Sequence, residues 1–112
     1  MYTQSGDWAN AEEVYRKAVE LNPTAVESLS MLGYVLDQQG KTAEAIAQNL
    51  RVVELVPQDY ISIRNLSVLY NKAGDYKQAL AYAQRALTLA PDSDKPQLEE
   101  FVAQLQALAG GQ

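Results

Sequence analysis

The same residues return along this chain at one spacing. Gly6, Gly40 and Gly74 stand 34 residues apart, as do Ala11, Ala45 and Ala79, and Pro23, Pro57 and Pro91. Each glycine opens a similar run: Gly6-Asp-Trp-Ala-Asn-Ala11, Gly40-Lys-Thr-Ala-Glu-Ala45 and Gly74-Asp-Tyr-Lys-Gln-Ala79. A fixed period of this length means that one supersecondary unit is repeated and stacked, since a single unit cannot bury its own apolar stripe. The period constrains the fold more tightly than local propensity does, and it leaves function open.

Between the markers the apolar residues follow helical spacing. Trp8, Ala11, Val14, Tyr15, Ala18, Val19 and Leu21 predict an inward stripe on a helix over 8–21, with Asp7 as its N-cap and Asn22-Pro23 as its stop. Thr24-Ala-Val-Glu27 reads as a capping box for a second helix, over 25–39, with Leu29, Leu32, Gly33 and Leu36 on its stripe. The third helix opens at Lys41 or Thr42 and points Ala45, Ile46, Val52, Val53 and Leu55 inward before Pro57. Asp59 caps the fourth, which carries Ile63, Leu66, Ser67 and Tyr70 and ends at Gly74. Asp75 and Gln78 form a capping pair for the fifth, with Tyr76, Ala79, Leu80, Ala83, Ala86, Leu87 and Leu89 before Pro91. A last helix over about 95–108 has Leu98, Phe101, Val102, Leu105 and Leu108, one residue later than the period requires. Glu99, Glu100, Gln104 and Gln106 make its other face polar, as a terminal capping helix needs. By the period Tyr2 stands where Leu36 and Tyr70 close their helices. The chain therefore reads as a piece of a longer repeat protein, entered near the end of a first helix. That leaves one face of helices 8–21 and 25–39 without a neighbour.

Composition narrows the function classes. A 112-residue chain of 47% hydrophobic content is one ordinary globular domain by length. Its net charge of −5 offers no basic stripe for phosphates, so nucleic acid is not an expected partner. No apolar run reaches the ~18 residues of a membrane span, and the first residues lack the pattern of a secretory signal. With no Cys and no His, thiolate metal sites, disulfides and the commonest general base are absent. Glu12–Glu13 and Glu99–Glu100 are adjacent on helices and point apart, and Asp92 and Asp94 lie in a loop, so no carboxylate pair encloses a cleft. No phosphate loop or nucleophile elbow is present. The reading is of a protein that is not an enzyme and carries no cofactor. Cytoplasm and periplasm are equally compatible with it.

The repeated positions resemble the tetratricopeptide repeat family. Residues 26–59 carry Leu29, Leu32, Gly33, Leu36, Gly40, Ala45, Val52 and Pro57; residues 60–93 carry Ile63, Leu66, Ser67, Tyr70, Gly74, Tyr76, Ala79, Ala86 and Pro91. A partial repeat over 1–25 precedes them with Trp8, Ala11, Tyr15, Ala18 and Pro23, and a capping helix over 94–109 and a tail over 110–112 follow. The resemblance implies an all-α fold of antiparallel helix-turn-helix repeats stacked in a right-handed superhelix. Small residues, Gly33 or Ser67 facing Ala45 or Ala79, let paired helices approach closely. Asn49 departs from the pattern, standing where Tyr15 and Ala83 stand in the flanking repeats. A buried, unpaired amide costs about 1–3 kcal/mol, so Asn49 is either hydrogen-bonded or at the rim.

Family members commonly bind peptides or protein segments along the first helix of each repeat. Carried over by position, the lining residues here are Glu27, Ser30, Tyr34, Asp37 and Gln38, then Ile61, Arg64, Asn65, Val68, Asn71 and Lys72. Tyr34 is the expected aromatic anchor, with packing between first helices as its bland alternative. Arg64 and Lys72 suit a carboxylate or an acidic segment. A chaperone-tail clamp seen in some relatives is not expected, because Ser30, Tyr34, Asn65, Pro96 and Glu100 meet its pattern only at Asn65. The expected function is a protein-interaction scaffold. The alternatives are self-association through the exposed N-terminal edge, giving a homo-oligomer, and a positioning role within a larger enzyme or regulator.

Overall fold

A computed structural model describes residues 7–111 of the chain. The expectations placed on Tyr2 and Gly6 lie outside the described residues. Within them are six helices: α1 (Trp8–Leu21), α2 (Val26–Gln38), α3 (Thr42–Leu55), α4 (Tyr60–Lys72), α5 (Tyr76–Leu89) and α6 (Lys95–Ala109). No strand occurs among the described residues. The protein is an all-α helical-repeat fold. It divides into two compact units, Met1–Pro57 and Gln58–Gln112. In the first, α2 packs on α1 and on α3; in the second, α5 packs on α4 and on α6.

The reversals after α2 and α4 follow from one glycine each. Gly40 and Gly74 adopt φ of 78° and 81°, a left-handed conformation that a Cβ disfavours. The Lys41 amide then donates to Leu36 O at 2.9 Å and the Gly40 amide to Asp37 O at 2.9 Å. The Asp75 amide reaches Tyr70 O at 2.9 Å and the Gly74 amide Asn71 O at 3.1 Å. Both sites are the same double hydrogen-bonded helix end, and it satisfies carbonyls that the helix would otherwise orphan.

Helix starts are less uniform than the sequence suggests. Asp59 and Asp75 cap as expected, accepting from the Ser62 and Gln78 amides at 3.2 and 3.3 Å. The capping box at Thr24 does not form. Ala25 is the N-cap of α2, and the Thr24 hydroxyl donates to Asn22 Oδ1 at 3.3 Å instead. The turn after Pro23 places Thr24 one residue too early to reach the amides of α2. Asp7 sits at the head of α1 and accepts through its backbone carbonyl, with no side-chain cap bond, because its own φ and ψ are already helical.

Leu29, Leu32, Leu36, Ala45 and Val52 are buried in the first unit, and Ile63, Leu66, Ser67, Ala79, Ala83, Ala86, Leu98 and Leu105 in the second. Each buried leucine or isoleucine is stabilised by about 1.5–3 kcal/mol relative to exposure. Val35 and Leu69, off the expected stripes, are buried as well. Four residues expected inward are exposed instead: Val14, Leu21, Leu55 and Leu108. Leu21 and Leu55 are the last residues of their helices and Leu108 the penultimate residue of α6. Val14 borders an open groove between α1 and α2.

Gly33 faces α3 at Ala45, as expected, and more closely at Asn49. A Cβ at Gly33 would lie 2.8 Å from Asn49 Nδ2, against 3.7 Å from the Ala45 carbonyl oxygen. Asn49 itself is buried, and its Nδ2 donates to Ala45 O at 2.9 Å. The amide is therefore hydrogen-bonded, and the void that glycine leaves is the space it occupies.

Candidate functional site

α2 and α4 are both thirteen-residue helices closed by a glycine turn, and α4 is opened by the Asp59 cap. None of the eleven positions taken as lining residues is buried. Glu27, Tyr34, Gln38, Ile61, Val68 and Lys72 are exposed; Ser30, Asp37, Arg64, Asn65 and Asn71 are half-buried. The five on α2 belong to the first unit and the six on α4 to the second.

In the second unit α4 and α6 flank a cavity of about 160 Å³. Ser67, Val68, Leu98 and Phe101 form its apolar and small walls. Tyr60, Arg64, Asp94 and Gln97 form its polar rim. The Asp59 cap starts α4 at Tyr60, so Arg64 and Val68 follow on one face at intervals of four. The Tyr60 hydroxyl donates to Asp94 Oδ2 at 2.7 Å. Arg64 Nη1 lies 3.8 Å from the same oxygen, and its guanidinium carbon stands 5.7 Å from the Tyr60 ring centre. Burial first, and then the Asp94 carboxylate, push the Tyr60 phenol above its ordinary range.

The structure thus brings Arg64 and Val68 together and adds a wall the sequence reading missed. From the sequence, Leu98 and Phe101 read as the apolar stripe of a capping helix and Asp94 as a loop carboxylate, while Tyr60 and Gln97 carry no signal of their own. One signal was available: Asp94 lies one period after Tyr60, at the start of the next helix of the same type.

In the first unit Tyr34 is half-exposed. Its ring meets Trp8 of α1 edge-on, with centroids 5.8 Å apart and planes at 74°. It borders an apolar groove of about 140 Å³ shaped by Trp8, Val14, Tyr15, Met31 and Val35. Val14, Met31 and Tyr34 expose large apolar surface there, on the faces of α1 and α2 expected to lack a neighbour.

Several charged groups outside these grooves are engaged in ion pairs. Glu12 accepts from Arg16 Nε at 2.6 Å, Gln39 Nε2 at 2.8 Å and Lys41 Nζ at 2.9 Å, and Arg16 also reaches Glu44 at 2.7 Å. The Lys41 ammonium, opposed by burial and helped by Arg16 and Gln39, holds the Glu12 carboxyl down at about 2. Asp92 pairs with Lys95 at 3.3 Å, and Glu99 and Glu100 are exposed. No cluster of three potential metal ligands occurs among the described residues. Among the described residues no helix is long and apolar enough to cross a membrane.

Against known proteins, one tetratricopeptide repeat family model matches residues 2–60 and a second matches residues 61–90. No curated protein matches the sequence. Among solved structures, the crystal structure of MamA superposes with a TM-score of 0.81 at 20% identity, covering 98% of this chain and 61% of that one. This chain therefore spans about three-fifths of MamA. The TPR2B domain of yeast Sti1, solved as a complex with pHsp70, gives a TM-score of 0.77 at 21% identity, covering 98% and 88%. The Yersinia enterocolitica type III secretion chaperone SycD, in complex with a peptide of the translocator YopD, gives 0.73 at 17% identity, covering 96% and 81%. Likeness at these identities establishes the fold.

Proposed function

Since this chain belongs to the tetratricopeptide repeat family, we propose that it is a non-catalytic scaffold that binds a peptide or protein segment. The segment binds against the first helices of the repeats, α2 or α4, which in this family line the concave face. The α4–α6 groove carries the reading. It is an open cavity with apolar walls and a charged rim, and it contains two of the lining residues, Arg64 and Val68. Two neighbours of the same fold were solved with bound peptide or protein partners, which supports the class of ligand. The remaining lining positions, Glu27, Ser30, Tyr34, Asp37, Gln38, Ile61, Asn65, Asn71 and Lys72, supply further contacts in this reading, with Tyr34 as the aromatic anchor.

Selection of a displayed peptide library against the purified protein tests this. Selected peptides are expected to lose binding to Val68→Asp and to keep it for Glu99→Arg on the polar face of α6. Peptides indifferent to substitutions on both α2 and α4 would remove the proposal.

A second reading rests on the apolar groove beside Tyr34. Exposed Val14, Met31 and Tyr34 favour pairing of two chains through that edge. Sedimentation is then expected to show a concentration-dependent dimer that Val14→Asp abolishes. A single monomeric species at every concentration argues against it.

A further inference from the structure

The cavity between α4 and α6 has a size and a charge arrangement that specify more than "a peptide". Its volume of about 160 Å³ falls below the ~300–1,000 Å³ of sites that enclose a whole small molecule. One aliphatic side chain fits against Val68, Leu98 and Phe101. At the rim, Arg64 and Asp94 form an incomplete ion pair. Their 3.8 Å separation is outside hydrogen-bond range, and the near oxygen of Asp94 is already occupied by the Tyr60 hydroxyl at 2.7 Å. The fork-on-fork geometry by which a guanidinium holds a carboxylate is therefore not made by Asp94. Asp94 also gives no side-chain cap to its own helix, so the positive end of α6 adds about half a charge at the same rim. Lys95, the next cation along, is turned to Asp92. α4 carries Arg64 and Lys72 and no acidic residue, in a chain of net charge −5. Summed over Arg64, Asp94 and the helix end, the rim favours an anion over a cation.

We propose that this groove recognises an aliphatic residue followed by a glutamate or aspartate within a partner segment. The aliphatic side chain fills the cavity, and the side-chain carboxylate takes the bidentate position on Arg64 that Asp94 leaves open. Asp94 acts as a built-in competitor, a weak internal anion that an incoming carboxylate must displace from Arg64. This inference rests on the segment-binding reading above and narrows it to one chemistry.

The test uses end-blocked peptides, acetylated and amidated so that no terminal carboxylate contributes. They carry Leu-Glu, Leu-Gln, Leu-Lys or Ala-Glu in one glycine-serine host, titrated calorimetrically at low salt. Leu-Glu is expected to bind about tenfold tighter than Leu-Gln, as a charge-assisted pair against a neutral one. Ala-Glu is expected to lose about tenfold through the unfilled cavity. Arg64→Gln should erase the difference between Leu-Glu and Leu-Gln. Asp94→Asn should tighten Leu-Glu a few-fold and leave Leu-Gln unchanged. Circular dichroism and urea midpoints matching the parent protein keep these variants interpretable. Equal binding of Leu-Glu and Leu-Gln, or a preference for Leu-Lys, overturns the proposal. So does selectivity that survives in Arg64→Gln. If only library-selected peptides bind, and Val68→Asp does not disturb them, this inference falls while segment binding elsewhere stands. If no peptide of either kind binds, both fall.

Discussion

The two compact units solve the same packing problem in opposite ways. At one register, the first pairs Gly33 with Asn49, while the second has Ser67 and Ala83 at the equivalent positions. Volume removed from one helix is returned on its partner. Asn49 spends its donor on the Ala45 carbonyl, and Ser67 spends its hydroxyl on the Arg64 carbonyl at 2.6 Å. The fastenings differ too. The first unit is tied by an ionic network around Glu12. The second relies on aspartate caps, the Tyr70–Tyr82 stack at 5.7 Å and the Tyr60–Asp94 bond. What the period conserves is the summed volume and the satisfied polar groups at each register, while the chemistry that meets those conditions is free to change.

The largest effects should show the units behaving alike. Leu32→Ala and Leu66→Ala, both at fully buried equivalent positions, are each expected to lose about 2–5 kcal/mol in urea denaturation, within about 1 kcal/mol of each other. A wider gap would mean that the registers are not equivalent. Next, Gly33→Ser is expected to lose about 2–3 kcal/mol, because its Cβ displaces a buried, hydrogen-bonded amide. Gly33→Ser with Asn49→Ala transplants the second unit's pair into the first and should recover most of that loss. Failure to recover would break the volume-exchange account.

Acid should separate the units. Glu12 is held at about 2, below its ordinary 4.5. A depressed carboxylate stabilises the fold fully above pH 4.5, and the stabilisation drains away as pH falls from 4.5 towards 2. Glu12→Gln is therefore expected to be about 1–2 kcal/mol less stable than the natural protein at pH 7, after allowance for the exposure of Lys41 and Arg16. The two should converge near pH 2. The smallest effects concern caps. Ala25 and Asp59 hold the same N-cap place with nearly identical backbones, φ −75° ψ 97° and φ −73° ψ 98°. Asp59→Ala should lose about 1 kcal/mol and Ala25→Asp should gain about 0.5–1 kcal/mol, read as opposite shifts in thermal midpoint.

The helices, their order and the reversals at Gly40 and Gly74 were legible because each depends on residues within one or two turns. So was the separation of the lining residues from the buried stripe, since a 3.6-residue period assigns faces without knowing the neighbour. Less legible were buried positions off the predicted stripes, such as Val35 and Leu69, and apolar residues at helix ends that stay exposed, such as Leu21 and Leu55. The missing cap at Thr24 shows how one residue of turn geometry defeats a correct motif.

From the sequence alone came the repeated helical pair, the tight turns that favour glycine, and the helix faces left outside the buried stripe. Recurrence at a constant interval encodes them locally, many times over. The tertiary structure decided which side chains meet: Asn49 in the space above Gly33, Glu12 with groups 27 and 29 residues away, and Asp94 turned from its own helix to Tyr60 and Arg64. Those choices depend on how deeply two rods interlock and on the rotamers that depth permits. A pattern of apolar spacing carries no record of either.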